Sequence, residues 1–301
     1  MSPDDFVIAL RALDAPVFLD DHGVPSPLGV EFTATTSDGR NVLVTQLSAA
    51  INARVTDPDA FLRAIERAGY QGAGITESGQ LYFLELPLRG VTLADRLAGT
   101  GPVPAAELLG IARAAVDALS QMPHGLITPS TVHVIADGGV SFRWPGLAQA
   151  LRSAGVDIAT VARELDAALF IAPEVRAGAP FDVRTDIFAL GVTLYTALTG
   201  RPPFGGRTTA MTMAIVLGDG GGPATTATGT LTAALLRAIE QQPADRWHDP
   251  GQFRDALGAA PVVPRRTPPD RAALPHRGCA GALAIFVGGG LVLWGISKYI
   301  S

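Results

Sequence analysis

APEVRAGAPFDVRTDIFALGVTLYTALTGRPPF, residues Ala172 to Phe204, carries the signal that decides the fold. It opens on Ala172-Pro173-Glu174, passes through Asp186-Ile187-Phe188, and continues as an apolar run at helical spacing from Ala189 to Leu198. Gly200-Arg201-Pro202-Pro203-Phe204 then stops the run, because glycine ends helices readily and proline cannot continue one. Downstream, 205–230 is a soft Gly/Thr/Ala stretch, read as a loop with one helix. Leu231 to Ile239 is helical, and Phe253 to Leu257 closes the domain after Pro243-Ala244-Asp245-Arg246-Trp247.

Upstream, 147–171 is polar and Ala-rich. Before it, His124 to Val134 and Val140 to Gly146 predict a strand–turn–strand unit around Asp137-Gly138-Gly139. A long amphipathic helix is predicted over 104–120. Leu81 to Leu88 reads as an apolar strand leading into Gly90-Val91-Thr92-Leu93-Ala94-Asp95-Arg96-Leu97. Asp57-Pro58-Asp59 is a helix start, with Phe61, Leu62 and Ile65 on the apolar face. Val30 to Ala34 and Val42 to Leu47 flank a Ser-Asp-Gly-Arg turn at 37–40, a hairpin signal. Phe6, Val7, Leu10 and Leu13 predict a short helix over 1–15.

Of 23 Lys+Arg, one is lysine, Lys298; every other is arginine. The net charge of -5 disfavours non-specific nucleic-acid binding. The single cysteine, Cys279, leaves no partner for an intramolecular disulfide and fits a reducing compartment. The N-terminus opens with acidic residues and no basic region, so no secretory signal is visible. Apolar content of 48% and a mean hydropathy of +0.28 point to a membrane segment. Its place is residues 278–297, where nineteen residues from Gly278 to Ile296 carry no charge. At about 1.5 Å per residue such a helix just spans a hydrocarbon core of roughly 30 Å. A Pro/Arg-rich linker, 259–277, precedes it, and its four arginines predict a cytoplasmic N-terminal side. The layout predicts a tail-anchored, single-pass protein of the cytoplasmic membrane.

The Ala172–Phe204 stretch resembles the middle of a protein-kinase C-lobe, starting at the Ala-Pro-Glu end of the activation segment. The likeness extends over residues 16–258 and is closest to bacterial-type Ser/Thr protein kinases. It implies an α+β, two-lobed fold followed by one transmembrane helix: a small β-rich N-lobe over 1–88 and a mainly helical C-lobe over 89–258. Residues 147–171 stand where the family has its activation segment. Glu174 and Arg246 match a pair the family buries as a salt bridge. Asp186 matches the Asp that holds the catalytic-loop backbone, Gly191 allows close helix packing, and His124 survives as a packed core histidine.

The positions that would carry chemistry are replaced. No residue before 298 is lysine, so no lysine of the domain reaches a phosphate, and Thr45 stands where the family has one. His124-Gly125-Leu126-Ile127-Thr128-Pro129-Ser130-Thr131 is similar to the family's His-Arg-Asp-Leu-Lys-Pro-x-Asn, with Leu126 for the Asp, Thr128 for the Lys and Thr131 for the Asn. Trp144-Pro145-Gly146 stands for Asp-Phe-Gly, and an indole offers magnesium no oxygen. In the Gly-rich loop only Gly29 aligns. Glu31 falls over the adenine position, Leu43 replaces a small Ala, and Glu66 or Ala64 takes the ion-pairing place on the N-lobe helix.

The expected function is therefore a membrane-tethered pseudokinase, a protein-binding module without phosphotransfer, cofactor or metal. Its expected partners are proteins at the membrane and, through 278–297, the bilayer. Two alternatives remain: a residual or unconventional Ser/Thr kinase using ATP and Mg²⁺, and a non-catalytic nucleotide sensor. Asp137 and Asp157 are weighed as rescue metal ligands and set aside, one for lying in a turn, the other in a segment expected to be mobile. Ser153 and Thr160 are read as surface residues or phosphate acceptors, Cys279 as an inert or acylated thiol, and Ala280, Ala284 and Gly288 as a weak line for span pairing.

Overall fold

In the computed structural model, residues 17–19, 23–36, 39–119, 124–165, 167–203 and 226–258 are described. The predicted helix over 1–15, the linker 259–277, the membrane span 278–297 and Cys279 lie outside them. Among the described residues no helix is long and apolar enough to cross a membrane.

Six strands form the first sheet: β1 (Val17–Leu19), β2 (Val24–Ser26), β3 (Gly29–Thr36), β4 (Asn41–Leu47), β5 (Gly72–Ile75) and β6 (Leu81–Glu85). The order is β1-β3-β4-β6-β5, with β2 paired to β3, and every pairing is antiparallel. The β3–β4 turn uses Gly39 at a φ of 80°, a conformation glycine adopts without strain. Side chains alternate across the sheet. Phe32, Ala34, Val42, Val44, Tyr82 and Leu84 make a small outer cluster. Glu31, Thr45 and Phe83 are neighbours in register, as are Leu43 and Glu85, and both rows lie on the inner face.

Two helices follow β4, α1 (Ala49–Asn52) and α2 (Pro58–Arg67). Asp57 caps α2 by accepting from the Ala60 N–H at 2.8 Å, with Pro58 in the first turn. Phe61 and Ile65 are buried beneath it. Strand β6 ends at Glu85, earlier than the apolar run suggested, and Leu86 is exposed.

The second sheet is β7 (Val91–Thr92), β8 (Val132–Val134) and β9 (Val140–Phe142), in that order. Around it pack α3 (Leu93–Thr100), α4 (Ala105–Leu119), α5 (Leu147–Ser153), α6 (Ile158–Glu164), α7 (Pro173–Arg176), α8 (Val183–Thr199), α9 (Thr226–Ala238) and α10 (Pro250–Ala256). Helix α8 is the axis of this lobe, buried without a break from Thr185 to Ala197. It begins six residues before the apolar run because Asp182 and Thr185 close a reciprocal capping box, and Gly200 ends it at a φ of 75°. A Cβ on Gly191 would lie 2.8 Å from that of Ala238, so glycine sets the approach of α9.

The described residues of the 147–171 segment, expected from the sequence to be mobile, are packed against the core. Leu147, Ala148, Ala150, Leu151, Val156, Val161 and Ala162 are buried along α5 and α6. Thr56 and Asp57, which lead into α2, donate backbone N–H groups to the Ala154 carbonyl at 2.9 and 3.3 Å. Arg152 donates to the Ala179 carbonyl at 2.8 Å, tying α5 to the loop after α7.

Candidate functional site: the cleft between the sheet and the helical lobe

Position 45 lies at the centre of β4, between Glu31 and Phe83. Thr45 is 0% exposed and brings no charge. Gly29, the surviving loop glycine, has a packing role: a Cβ there would lie 2.1 Å from the Gln46 carbonyl oxygen. The residue before it, Leu28, is fully buried in the same apolar cluster as Leu47 and Ile51. The segment aligned with the Gly-rich loop is thus a tight β2–β3 turn anchored by a leucine. On α2, Glu66 is exposed and Ala64 packs against the core, so Ala64 takes the inward place.

The 124–131 loop is held from behind and knitted within. The Asp186 carboxylate accepts the His124 and Gly125 N–H groups at 2.6 and 2.7 Å. His124 Nδ1 accepts the Leu126 N–H at 3.1 Å, so its Nε2–H donates to the Arg143 carbonyl at 2.6 Å. Thr131 Oγ1 accepts the Thr128 N–H at 2.9 Å and donates to the Leu126 carbonyl at 3.0 Å. Leu126 is 2% exposed and points into apolar neighbours. Trp144 follows at a φ of 63°, left-handed for a non-glycine residue, and is 5% exposed. These positions offer a buried leucine, an indole and a threonine engaged inside its own loop. None suits a hard divalent cation.

Asp137 accepts the Gly139 N–H in its turn, and Asp157 caps α6 through the Ala159 N–H and the Thr160 hydroxyl. Ser153 is exposed and Thr160 half-buried. Among the described residues no cluster of three or more His, Cys, Asp or Glu side chains could hold a metal.

The strongest polar feature was visible in the sequence only in part. Arg143, the residue before Trp144, places Nε and Nη2 at 2.9 and 2.8 Å from Glu85 Oε1 and Nη2 at 2.9 Å from Glu31 Oε2. Its guanidinium also lies 4.7 Å over the Trp144 ring. Burial pushes the Glu85 carboxyl up, against the pull of Arg143. Burial would lower Arg143, but Glu85 and Glu31 outweigh it and hold the guanidinium charged. Only Glu31 is placed near the cleft by the sequence; Arg143 follows β9 and Glu85 ends β6, both far from it along the chain.

At the base of the helical lobe, Arg246 and Glu174 form a two-pronged pair at 2.6 and 2.8 Å. Arg246 also donates to the carbonyls of Glu240, Arg184 and Gln241 and lies 4.7 Å over the Phe188 ring.

Burial lowers the His124 pKa to about 4 and raises that of Asp186 to about 6, the latter against two backbone N–H donors. The unfolded chain protonates His124 from about pH 6.5 downward while the folded chain refuses the proton until about 4, so this term loses stability on acidification. Asp186 acts oppositely: the folded chain takes its proton first, so stability is gained between about pH 6 and 4. Each is worth roughly 3 kcal/mol at 1.36 kcal/mol per unit, and they nearly cancel. Asp186→Asn removes the second, so urea midpoints should fall more steeply from about pH 6 to 4 than in the wild type. Parallel slopes would contradict it.

The architecture, a small β-rich lobe on a larger helical one joined by the β6–β7 connection, is that of a protein kinase. The kinase domain of Mycobacterium tuberculosis PknI superposes with a TM-score of 0.56 over 80% of this chain and 94% of that one, at 20% identity, a likeness of fold. No protein-family model matches the chain. In sequence it is similar to serine/threonine-protein kinase PknB of Mycolicibacterium smegmatis, 29% identical over 209 residues, which is 64% of this chain and 33% of that protein. PknB of Mycobacterium tuberculosis is 27% identical over the same length, and the probable serine/threonine-protein kinase CE0033 of Corynebacterium efficiens 26% over 234 residues. In sequence the chain is similar to bacterial Ser/Thr protein kinases and it has their two-lobed fold, and it spans about a third of the length of the curated PknB proteins it matches.

Proposed function

We propose that this chain is a pseudokinase: a kinase-like module that binds and regulates proteins at the membrane without transferring phosphate. The observation that carries the reading is one apolar cluster running through the cleft. It joins Leu28, Phe61, Ile65 and Phe83 of the small lobe to Leu126, Trp144, Leu147 and Phe188 of the helical lobe. A kinase keeps that space for nucleotide, metal and the acceptor hydroxyl. Here the Asp and Asn positions of the family are used for packing and loop closure. The scaffold is kept, in Asp186, Gly191 and the Glu174–Arg246 pair, which suits a surface that recognises partners.

The test is a thermal-shift titration with ATP and Mg²⁺. A ligand at a hundred times its Kd stabilises by about 2.7 kcal/mol, or roughly 5–10 °C for a domain of this size. The expected shift is below about 1 °C. A clear metal-dependent shift would support a nucleotide sensor, and phosphate transfer abolished by substitutions within 124–146 would establish an unconventional kinase. Membrane attachment through 278–297 predicts that the full chain sediments with vesicles while a 1–258 truncation does not. Equal partitioning would count against a span.

A further inference from the structure

A kinase-like protein that holds no nucleotide lacks the ligand that would bridge its two lobes. The groups around Arg143 supply a bridge of another kind. Glu31 and Glu85 stand on the inner face of the sheet, on β3 and β6, with β4 between them. Arg143 belongs to the other lobe, and its backbone is fixed at both ends. Its N–H donates to the Thr131 carbonyl at 2.8 Å, and its own carbonyl accepts from His124. The guanidinium is therefore tethered to the helical lobe, and parting of the lobes pulls on its contacts to the sheet. The side chains of Arg143, Glu31 and Glu85 are 16%, 17% and 10% exposed, so water screens the attraction little. The guanidinium fork meets one carboxylate through two N–H groups and the second through Nη2, a geometry lysine cannot reproduce.

We propose that Arg143, Glu31 and Glu85 form an interlobe latch that holds the lobes at a fixed angle in place of a nucleotide. The latch has a built-in asymmetry. Two carboxylates share one cation, so losing Arg143 turns attraction into repulsion across the sheet, whereas losing Glu31 leaves a balanced pair. This deepens the pseudokinase reading and rests on it, and the two fail separately.

The Thr56 and Asp57 amides report on closure, because both donate across the lobes to the Ala154 carbonyl, on a different part of the interface from the latch. Native-state hydrogen exchange should show them exchanging at least about tenfold faster in Arg143→Met, with amides of α8 unchanged. Glu31→Gln, a milder change that keeps the fold if Arg143→Met does not, should raise the same rates less than Glu85→Gln does, since Glu85 takes two of the three contacts. Unchanged exchange at Thr56 and Asp57 in a folded Arg143→Met, or equal effects of the two glutamines, overturns the latch. The ATP and Mg²⁺ titration is repeated on the same variants. Faster exchange without a nucleotide response supports latch and pseudokinase together. Faster exchange with a metal-dependent response keeps the latch and removes the claim that the cleft is closed to nucleotide for good.

Discussion

Arg246→Ala is expected to destabilise the helical lobe by about 3–5 kcal/mol, the range for removing one partner of a buried ion pair. The side chain is 0% exposed, and its guanidinium meets both oxygens of Glu174 and three backbone carbonyls. Truncation leaves all of these acceptors, each in a part-buried contact, without their donor. Phe188, on the buried axis of the lobe, also loses the cation stacked on its ring. Domains have about 5–15 kcal/mol of stability in total, so the loss is a large share of it. Guanidinium unfolding followed by tryptophan fluorescence measures it, with Trp247 beside the site. The contrast is Arg96→Ala. That residue pairs with Glu107 on an exposed face, and its loss should cost under about 1 kcal/mol. Similar costs for the two would mean that burial does not set the strength of the Arg246 pair.

What was legible in the sequence follows a physical divide. The helix after Asp186, its glycine stop, the Asp57-Pro58 helix start and the Gly39 hairpin turn are local signals, in which a few adjacent residues fix one conformation. They place the helical axis and much of the sheet. The Glu174–Arg246 pair lies 72 positions apart in sequence and came only through likeness to a family, as did the Asp186 contact with the 124–125 backbone. The latch was missed because nothing local marks it. Glu85 falls inside the Leu81–Leu88 run and reads as one polar position of that strand, and Arg143 reads as one arginine among many. Only the register of β3, β4 and β6 brings the glutamates under one guanidinium. Strand β5, Gly72–Ile75, was missed for the opposite reason, since two glycines in four residues give no strand signal. The packing of 147–171 was legible and underweighted: Leu147, Ala148 and Leu151, then Ile158, Val161 and Ala162, recur at helical spacing.

Leu126→Asp, which restores the carboxylate a kinase uses, is expected to destabilise the protein by about 3–5 kcal/mol and to restore no transfer. The backbone of Leu126 is fixed on both sides, its N–H by His124 Nδ1 and its carbonyl by Thr131 Oγ1. The side chain therefore cannot turn out to water, and its neighbours are the carbon atoms of a cluster that includes Phe83, Trp144 and Leu147. Losing leucine burial costs about 1.5–3 kcal/mol. The carboxyl must in addition be desolvated, which favours its protonated form and adds roughly 1–3 kcal/mol, and Arg143, the charged group beside Trp144, is already engaged by Glu85 and Glu31. A protonated acid cannot accept a proton from a substrate hydroxyl, so the group would be inert as well as costly. Leu126→Met, of similar volume, should cost less than about 1.5 kcal/mol and separates packing from charge. If Leu126→Asp were as stable as the wild type and transferred phosphate from ATP, position 126 would face the cleft as it does in a working kinase. If it is destabilised as expected, the leucine is part of the core that packs residues of the sheet lobe against residues of the helical lobe.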